Sequence, residues 1–231
     1  MIATAISTVL AIWAVVLAPV GSEAVPGVSG LYIAAAVYVP LALWFGMWGC
    51  LAGYLSCVFM GLYLGMDLSF VLVWSLADFF EGFIPLLIYR SIKMKPSLKL
   101  KRPLVTYGLM ALLTADVVVS ALALMLSLTN IFIATFAAGI ILLIVQAIAE
   151  DIKTWMTWLV VGVLLASVVS GIFGVGALAA FGNIPLEIFP TVFFGWVFGD
   201  IIVLATIGTV VSIILTSYIV KTRAHVRRFF S

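Results

Sequence analysis

Charge is what this sequence has least of. Only 9% of its 231 residues are charged, 11 Lys or Arg against 9 Asp or Glu, where an ordinary soluble domain carries roughly 25%. That is too few to coat the surface of a soluble globule. Disorder is excluded as well, since it requires low hydrophobicity and 66% of these residues are hydrophobic. Histidine is nearly missing too. His225 is the single one and lies in the basic C-terminal segment, which excludes HExxH zinc chemistry and argues against Ser-His catalysis or a His-ligated haem within a membrane. No P-loop, GxGxxG or GxSxG string occurs. The two cysteines, Cys50 and Cys57, share one apolar run, where helical spacing sets them about 10 Å apart, too far for a disulfide. No enzymatic activity, cofactor or metal is therefore expected. Short alternating segments are also lacking, which argues against a β-barrel.

What is present is a succession of long apolar runs. A spanning helix needs about 20 mostly apolar residues. Eight such runs can be read, at 2–20, 30–46, 48–65, 69–90, 104–127, 130–149, 156–178 and 191–219. The expected fold is an all-α integral membrane protein, a polytopic bundle of about eight transmembrane helices. It forms a single domain over 1–231 with a short basic tail at 221–231. Gly21–Ser29 reads as a loop and Met66–Leu68 as a tight turn. The Gly46–Met47–Trp48–Gly49 region must fold the second and third spans into a close hairpin.

Orientation follows from the basic residues, which fall in Arg90–Arg102, at Lys153 and in Lys221–Arg228. With eight spans all of them share one side, and the other side keeps only Glu23, Asp67 and Glu187. The positive-inside rule then places both termini in the cytoplasm of a cell-membrane protein. Ser22-Glu23-Ala24 resembles a small-x-small cleavage site, but no positive segment precedes the apolar run, so the first helix is expected to stay uncleaved. Trp44, Trp48, Trp155 and Trp158 fall near cytoplasmic span ends and read as interfacial anchors. Gly49 with Gly53, Gly61 with Gly65 and Gly195 with Gly199 have small-xxx-small spacing, which favours close helix packing. The basic loop from Arg90 to Arg102 reads as a topology signal in contact with anionic lipid, or as a docking site for a cytoplasmic partner.

Four acids lie inside the spans: Asp78, Glu81, Asp116 and Asp200. An ionised side chain at the bilayer centre costs about 2.5–3.5 kcal/mol even on the lenient scale. They should therefore face the protein interior or a wet cavity. At 1.5 Å per residue, Asp78, Asp116 and Asp200 each come roughly 14–18 Å from a span end, near the midplane. Asp78 and Glu81 are i,i+3 neighbours on one helix face. No Lys, Arg or His lies within a span to neutralise them. Three readings stay open. Some acids are protonated and donate hydrogen bonds between helices, or they bind a cationic or amine-bearing ligand, or they form a proton or metal-ion pathway. Ser75 offers polar company to Asp78, as do Thr114 and Ser120 to Asp116. Asn183 and Glu187 could line an outer entrance. Pro85 frees the carbonyl of Glu81 and suggests a kink there.

Two stretches carry a family resemblance. Trp44-Phe45-Gly46-Met47-Trp48-Gly49, with Gly53 and then Ala77-Asp78-Phe79-Phe80-Glu81-Gly82 up to Tyr89-Arg90, resembles the substrate-binding S component of energy-coupling-factor vitamin transporters. The same region, together with Trp196-Val197-Phe198-Gly199-Asp200 and Gly208-Thr209, resembles the membrane-associated sensor (MASE-type) domain. S components usually have six helices, against the eight read here. The resemblance implies a small-molecule recognition unit without chemistry of its own, with Glu81, Asp200 and Trp196 at structural or ligand-facing positions. The expected function is recognition of a small solute, as a transporter's binding subunit or a sensory module, with a membrane or cytoplasmic partner subunit and no nucleic acid. The alternative is an autonomous cation- or proton-coupled transporter that works through the four acids.

Overall fold

The computed structural model describes residues 1–17, 32–98, 100–126 and 128–230. The Gly21–Ser29 loop and the Ser22-Glu23-Ala24 string lie outside them. Among the described residues there is no strand. Eight helices follow in order: α1 Ile2–Leu17, α2 Ala35–Phe45, α3 Met47–Tyr63, α4 Leu68–Ser91, α5 Pro103–Met125, α6 Thr129–Ala149, α7 Ile152–Ala180 and α8 Leu186–Ile219. The last five are long and apolar enough to cross a membrane, whereas α1, α2 and α3 are shorter apolar helices. α2 has 11 residues, about 16 Å at 1.5 Å per residue. It is short because residues 33 and 34 form a turn before it and Gly46 ends it.

The chain divides into two compact units. The first comprises Met1–Ser97 and Val160–Ser231. At its centre α2 packs on α3, α4 and α8, while α1 lies on α3, α4 on α7, and α7 on α8. Glycine sets how closely these helices approach. Gly46, at φ +62°, turns α2 directly into α3, and a Cβ on Gly49 would collide with the Leu41 carbonyl. A Cβ on Gly53 would come 3.2 Å from the Tyr38 ring, and one on Gly61 would come 2.7 Å from Val71. α3 is therefore pressed onto two neighbours, α2 and α4, as the glycine spacing suggests. Gly65 and Gly195 behave differently. Among the described residues neither brings a packing neighbour within 4 Å of a built Cβ, and Gly65 serves instead as the left-handed residue ending α3.

Three long helices are not regular, and of these α7 is π-helical over Trp158–Leu165. α4 is interrupted at Ser75 and runs as helix through Pro85, so the break falls one turn before the acids rather than after them. α8 widens to a π-helical stretch at Leu204–Gly208. Thr206 and Thr209 donate to the carbonyls of Ile202 and Leu204 there, at 2.6 and 3.2 Å. π-helical turns inside α-helices are frequent at functional sites, and this one begins four residues after Asp200.

The second unit, Leu98–Leu159, is the α5–α6 pair with the first turns of α7. Glu150 ties it together. Its carboxylate accepts the backbone N–H of Lys101 and of Arg102, the latter at 3.0 Å, and the Thr106 hydroxyl. Gln146 donates to the same hydroxyl at 3.0 Å. These donors sit at the N-terminus of α5, where helical N–H groups lack partners and a negative charge is favoured. Beside it Asp151 caps α7 through the Thr154 N–H and pairs with Lys101 at 3.6 Å. The tryptophans also depart from expectation. Trp48 is exposed, but Trp44, Trp155 and Trp158 are buried, so they are packing residues and not interfacial anchors. Trp44 donates its indole N–H to Thr216 of α8 at 2.9 Å.

Candidate functional site

Three of the four acids belong to the first unit, and all three are buried: Asp78 is 2% exposed, Glu81 0% and Asp200 2%. α4 supplies the first two and α8 the third. The break at Ser75 places Asp78 in the first turn of the helix that follows, where the partial positive charge of the helix N-terminus favours a carboxylate.

Asp78 has specific partners. Tyr32 donates its hydroxyl to Asp78 Oδ2 at 3.2 Å, and Tyr38 donates to the Tyr32 oxygen at 2.7 Å. All three groups are buried, so the result is a directed chain of donors from α2 into the acid. Cys57 of α3 is a further neighbour of Asp78, Tyr32 and Ser75. Close packing holds this arrangement. Tyr38 lies against Gly53 on one side, and Gly82 brings α4 within reach of Ala42 and of the Tyr38 carbonyl. A larger residue at Gly82 would push α4, which bears Asp78 and Glu81, off α2, and one at Gly53 would push α3 off the Tyr38 ring.

Glu81 and Asp200 are less well provided for. Among the described residues neither oxygen of Glu81 has a hydrogen-bond partner, and Asp200 Oδ2 has none. Ser170 and Trp196 form the polar surroundings of Asp200, and the Trp196 indole donates to Ser170 Oγ at 3.0 Å. Glu81 lies within electrostatic range of Asp200 and Asp78. The helices of this unit hold no Lys, Arg or His between residues 160 and 219, or in α4 before Arg90. The three carboxyl groups are therefore close enough to sense one another, with no basic side chain between them. Leaving a buried polar atom unpaired costs about 1–3 kcal/mol, more for a charged one. Such an arrangement is either neutralised by protons or completed by a positively charged group from outside the chain. Among the described residues no three His, Cys, Asp or Glu side chains are grouped to hold a metal ion.

The remaining predicted positions lie elsewhere. Asp116 belongs to the second unit, where it is half-buried and its Oδ2 faces Gly139 across the α5–α6 contact. The hydroxyls expected beside it bond elsewhere, Thr114 to the Met110 carbonyl at 2.8 Å and Ser120 to Thr135 at 2.7 Å. Trp196 packs over Gly174 and meets Trp74 edge-on at 6.1 Å. Asn183 is exposed, and its backbone N–H closes the end of α7 on the Leu178 carbonyl at 2.8 Å. Tyr32 and Tyr38 are what the sequence reading missed. Their only signal was two hydroxyl-bearing aromatics six residues apart in an otherwise apolar stretch. No family model matches the chain, and neither a curated protein nor a solved structure is significantly similar to it.

Proposed function

We propose that the chain is a multi-pass cell-membrane protein, with both termini cytoplasmic, that recognises a small solute through a cationic or amine-bearing group. The observation that carries this reading is the buried Glu81 carboxylate. Among the described residues it has no hydrogen-bond partner and no basic neighbour, and two further acids, Asp200 and Asp78, lie within its electrostatic range. A cationic group entering there would satisfy the lone oxygens and the uncompensated charge at once, the demand that fixes ligand orientation in an otherwise apolar site. The apolar helices support the membrane setting, and the eleven-to-zero division of basic residues supports the orientation. The resemblance to S components and to MASE-type sensors points the same way, toward recognition without chemistry and toward a partner subunit that transports or signals.

The test is a thermal-shift screen of vitamins, amines and metal ions on the detergent-solubilised protein. A ligand that binds only the folded state raises its apparent stability by mass action. An amine-bearing or cationic solute should stabilise the wild type and fail to stabilise Glu81→Gln. Equal stabilisation of wild type, Glu81→Gln and Asp200→Asn by every hit would defeat the proposal.

A second reading, a proton- or cation-coupled transporter, is favoured by the Tyr38–Tyr32–Asp78 donor chain. Reconstituted vesicles address it through the amide variants of Asp78, Glu81, Asp116 and Asp200. Unchanged flux in all four would sink it.

A further inference from the structure

Beyond α8 the chain doubles back on the α2–α3 turn. The Val226 N–H donates to the Trp44 carbonyl at 2.9 Å, and His225 Nδ1 lies 3.0 Å from the same oxygen. The Met47 N–H donates to the Phe229 carbonyl at 2.8 Å. Trp44 and Met47 flank Gly46, so residues 225–229 satisfy backbone groups that the end of α2 and the start of α3 leave open. A side chain at Gly46 would strike the Phe229 carbonyl. From the end of α4, Arg90 donates to the Leu43 carbonyl at 3.1 Å and to the Val226 carbonyl. The Phe229 ring packs on the buried cluster of Ala42, Cys50 and Leu86. One short segment thus fastens α2, α3 and α4 at a single end.

Its other face is exposed among the described residues and has a distinct character. Phe230 is 62% exposed and meets the 59% exposed Trp48 edge-on at 6.3 Å. Arg227 and Arg228 beside them are exposed. No acidic residue follows Asp200 in the chain, so nothing within the segment neutralises them. Trp sits by preference at headgroup level, and clustered basic residues next to a membrane are drawn to anionic headgroups.

We infer that residues 225–230 form a strap between the α2–α3 turn and an anionic lipid surface, with Trp48 and Phe230 at the headgroup level and Arg227 and Arg228 on lipid phosphates. The inference rests on the membrane reading above. It goes beyond that reading in assigning the tail a lipid-dependent structural role rather than that of a topology signal.

Amide exchange in lipid nanodiscs tests it with the full-length protein. Discs of phosphatidylcholine alone are compared with discs that also contain phosphatidylglycerol, and the amides of Val226 and Met47 are followed. Each engaged arginine is worth a slowing of about fivefold in the anionic discs. The slowing should disappear in R227Q/R228Q, and high salt should reduce it. Both positions are exposed, so the variant is expected to fold. Equal exchange in the two kinds of disc overturns the inference, whether the strap is held from within or covered by a soluble partner. A slowing that survives in R227Q/R228Q overturns it too. Protection of the α6 amides reports insertion separately. Its loss would overturn the membrane reading itself, whereas its retention with an unresponsive strap would overturn the strap alone.

Discussion

Tyr32 donates a hydrogen bond to Asp78 across 46 residues of sequence, and Tyr38 in turn donates to Tyr32. Because one hydroxyl hands on to the next, the two tyrosines are not equivalent. Tyr32→Phe removes the direct donor to a buried acid and should cost about 1–3 kcal/mol, the penalty for leaving a buried acceptor unsatisfied. Tyr38→Phe removes a neutral bond and should cost about 1 kcal/mol. A double-mutant cycle by denaturant unfolding should show the pair to be non-additive.

Glu81 invites the opposite expectation. Glu81→Met replaces two unpartnered oxygens by apolar atoms of similar volume. It should raise unfolding stability by about 1–3 kcal/mol, the penalty of the unsatisfied group, while abolishing any solute-dependent thermal shift. A destabilised Glu81→Met variant would mean that the carboxyl group is already satisfied in the folded protein.

The second unit offers a pH test with a defined sign. Burial opposes the ionisation of Glu150. The Thr106 hydroxyl, the Lys101 and Arg102 N–H groups and the Lys101 charge outweigh it and hold its carboxyl below the ordinary glutamate value of 4.5. A group whose value is depressed by folding contributes stability that is present above the unfolded value and lost as the pH falls through the folded one. Wild-type stability should therefore decline below about pH 4.5 by more than that of Glu150→Gln, which should be about 2 kcal/mol less stable at neutral pH. Parallel pH profiles of the two proteins would refute this role.

The α2–α3 turn should tolerate no side chain at Gly49. Its Cβ would meet the backbone at Leu41 and Ala42 rather than a flexible side-chain tip. Gly49→Ala should cost about 3 kcal/mol or more, at the upper end of overpacking penalties. Gly195→Ala, which meets nothing within 4 Å, should be neutral or slightly stabilising because alanine is the better helix former. Melting curves of the two variants decide the matter.

Much of the fold was legible in composition and spacing. Apolar runs of helical length, separated by short breaks, determine an all-helical chain, since in lipid each segment must satisfy its own backbone hydrogen bonds. The glycines at 46 and 49 determine a close hairpin, because only glycine allows that backbone approach. The buried acids were visible as charges without local partners. Other features needed the tertiary structure, because they depend on groups far apart in the chain. Glu150, an acid in the short break between α6 and α7, caps a helix that begins at Pro103. Trp44, placed by its position at a membrane interface, is buried and bonds Thr216. Tyr32 and Tyr38 become partners of Asp78 only when α2 and α4 close around Gly53 and Gly82. The tail becomes a strap only because Arg90 and the Gly46 turn are there to receive it. Local pattern specifies which segments are helical and which residues are costly to bury. Which of those costs are met, and by whom, is decided where distant helices touch.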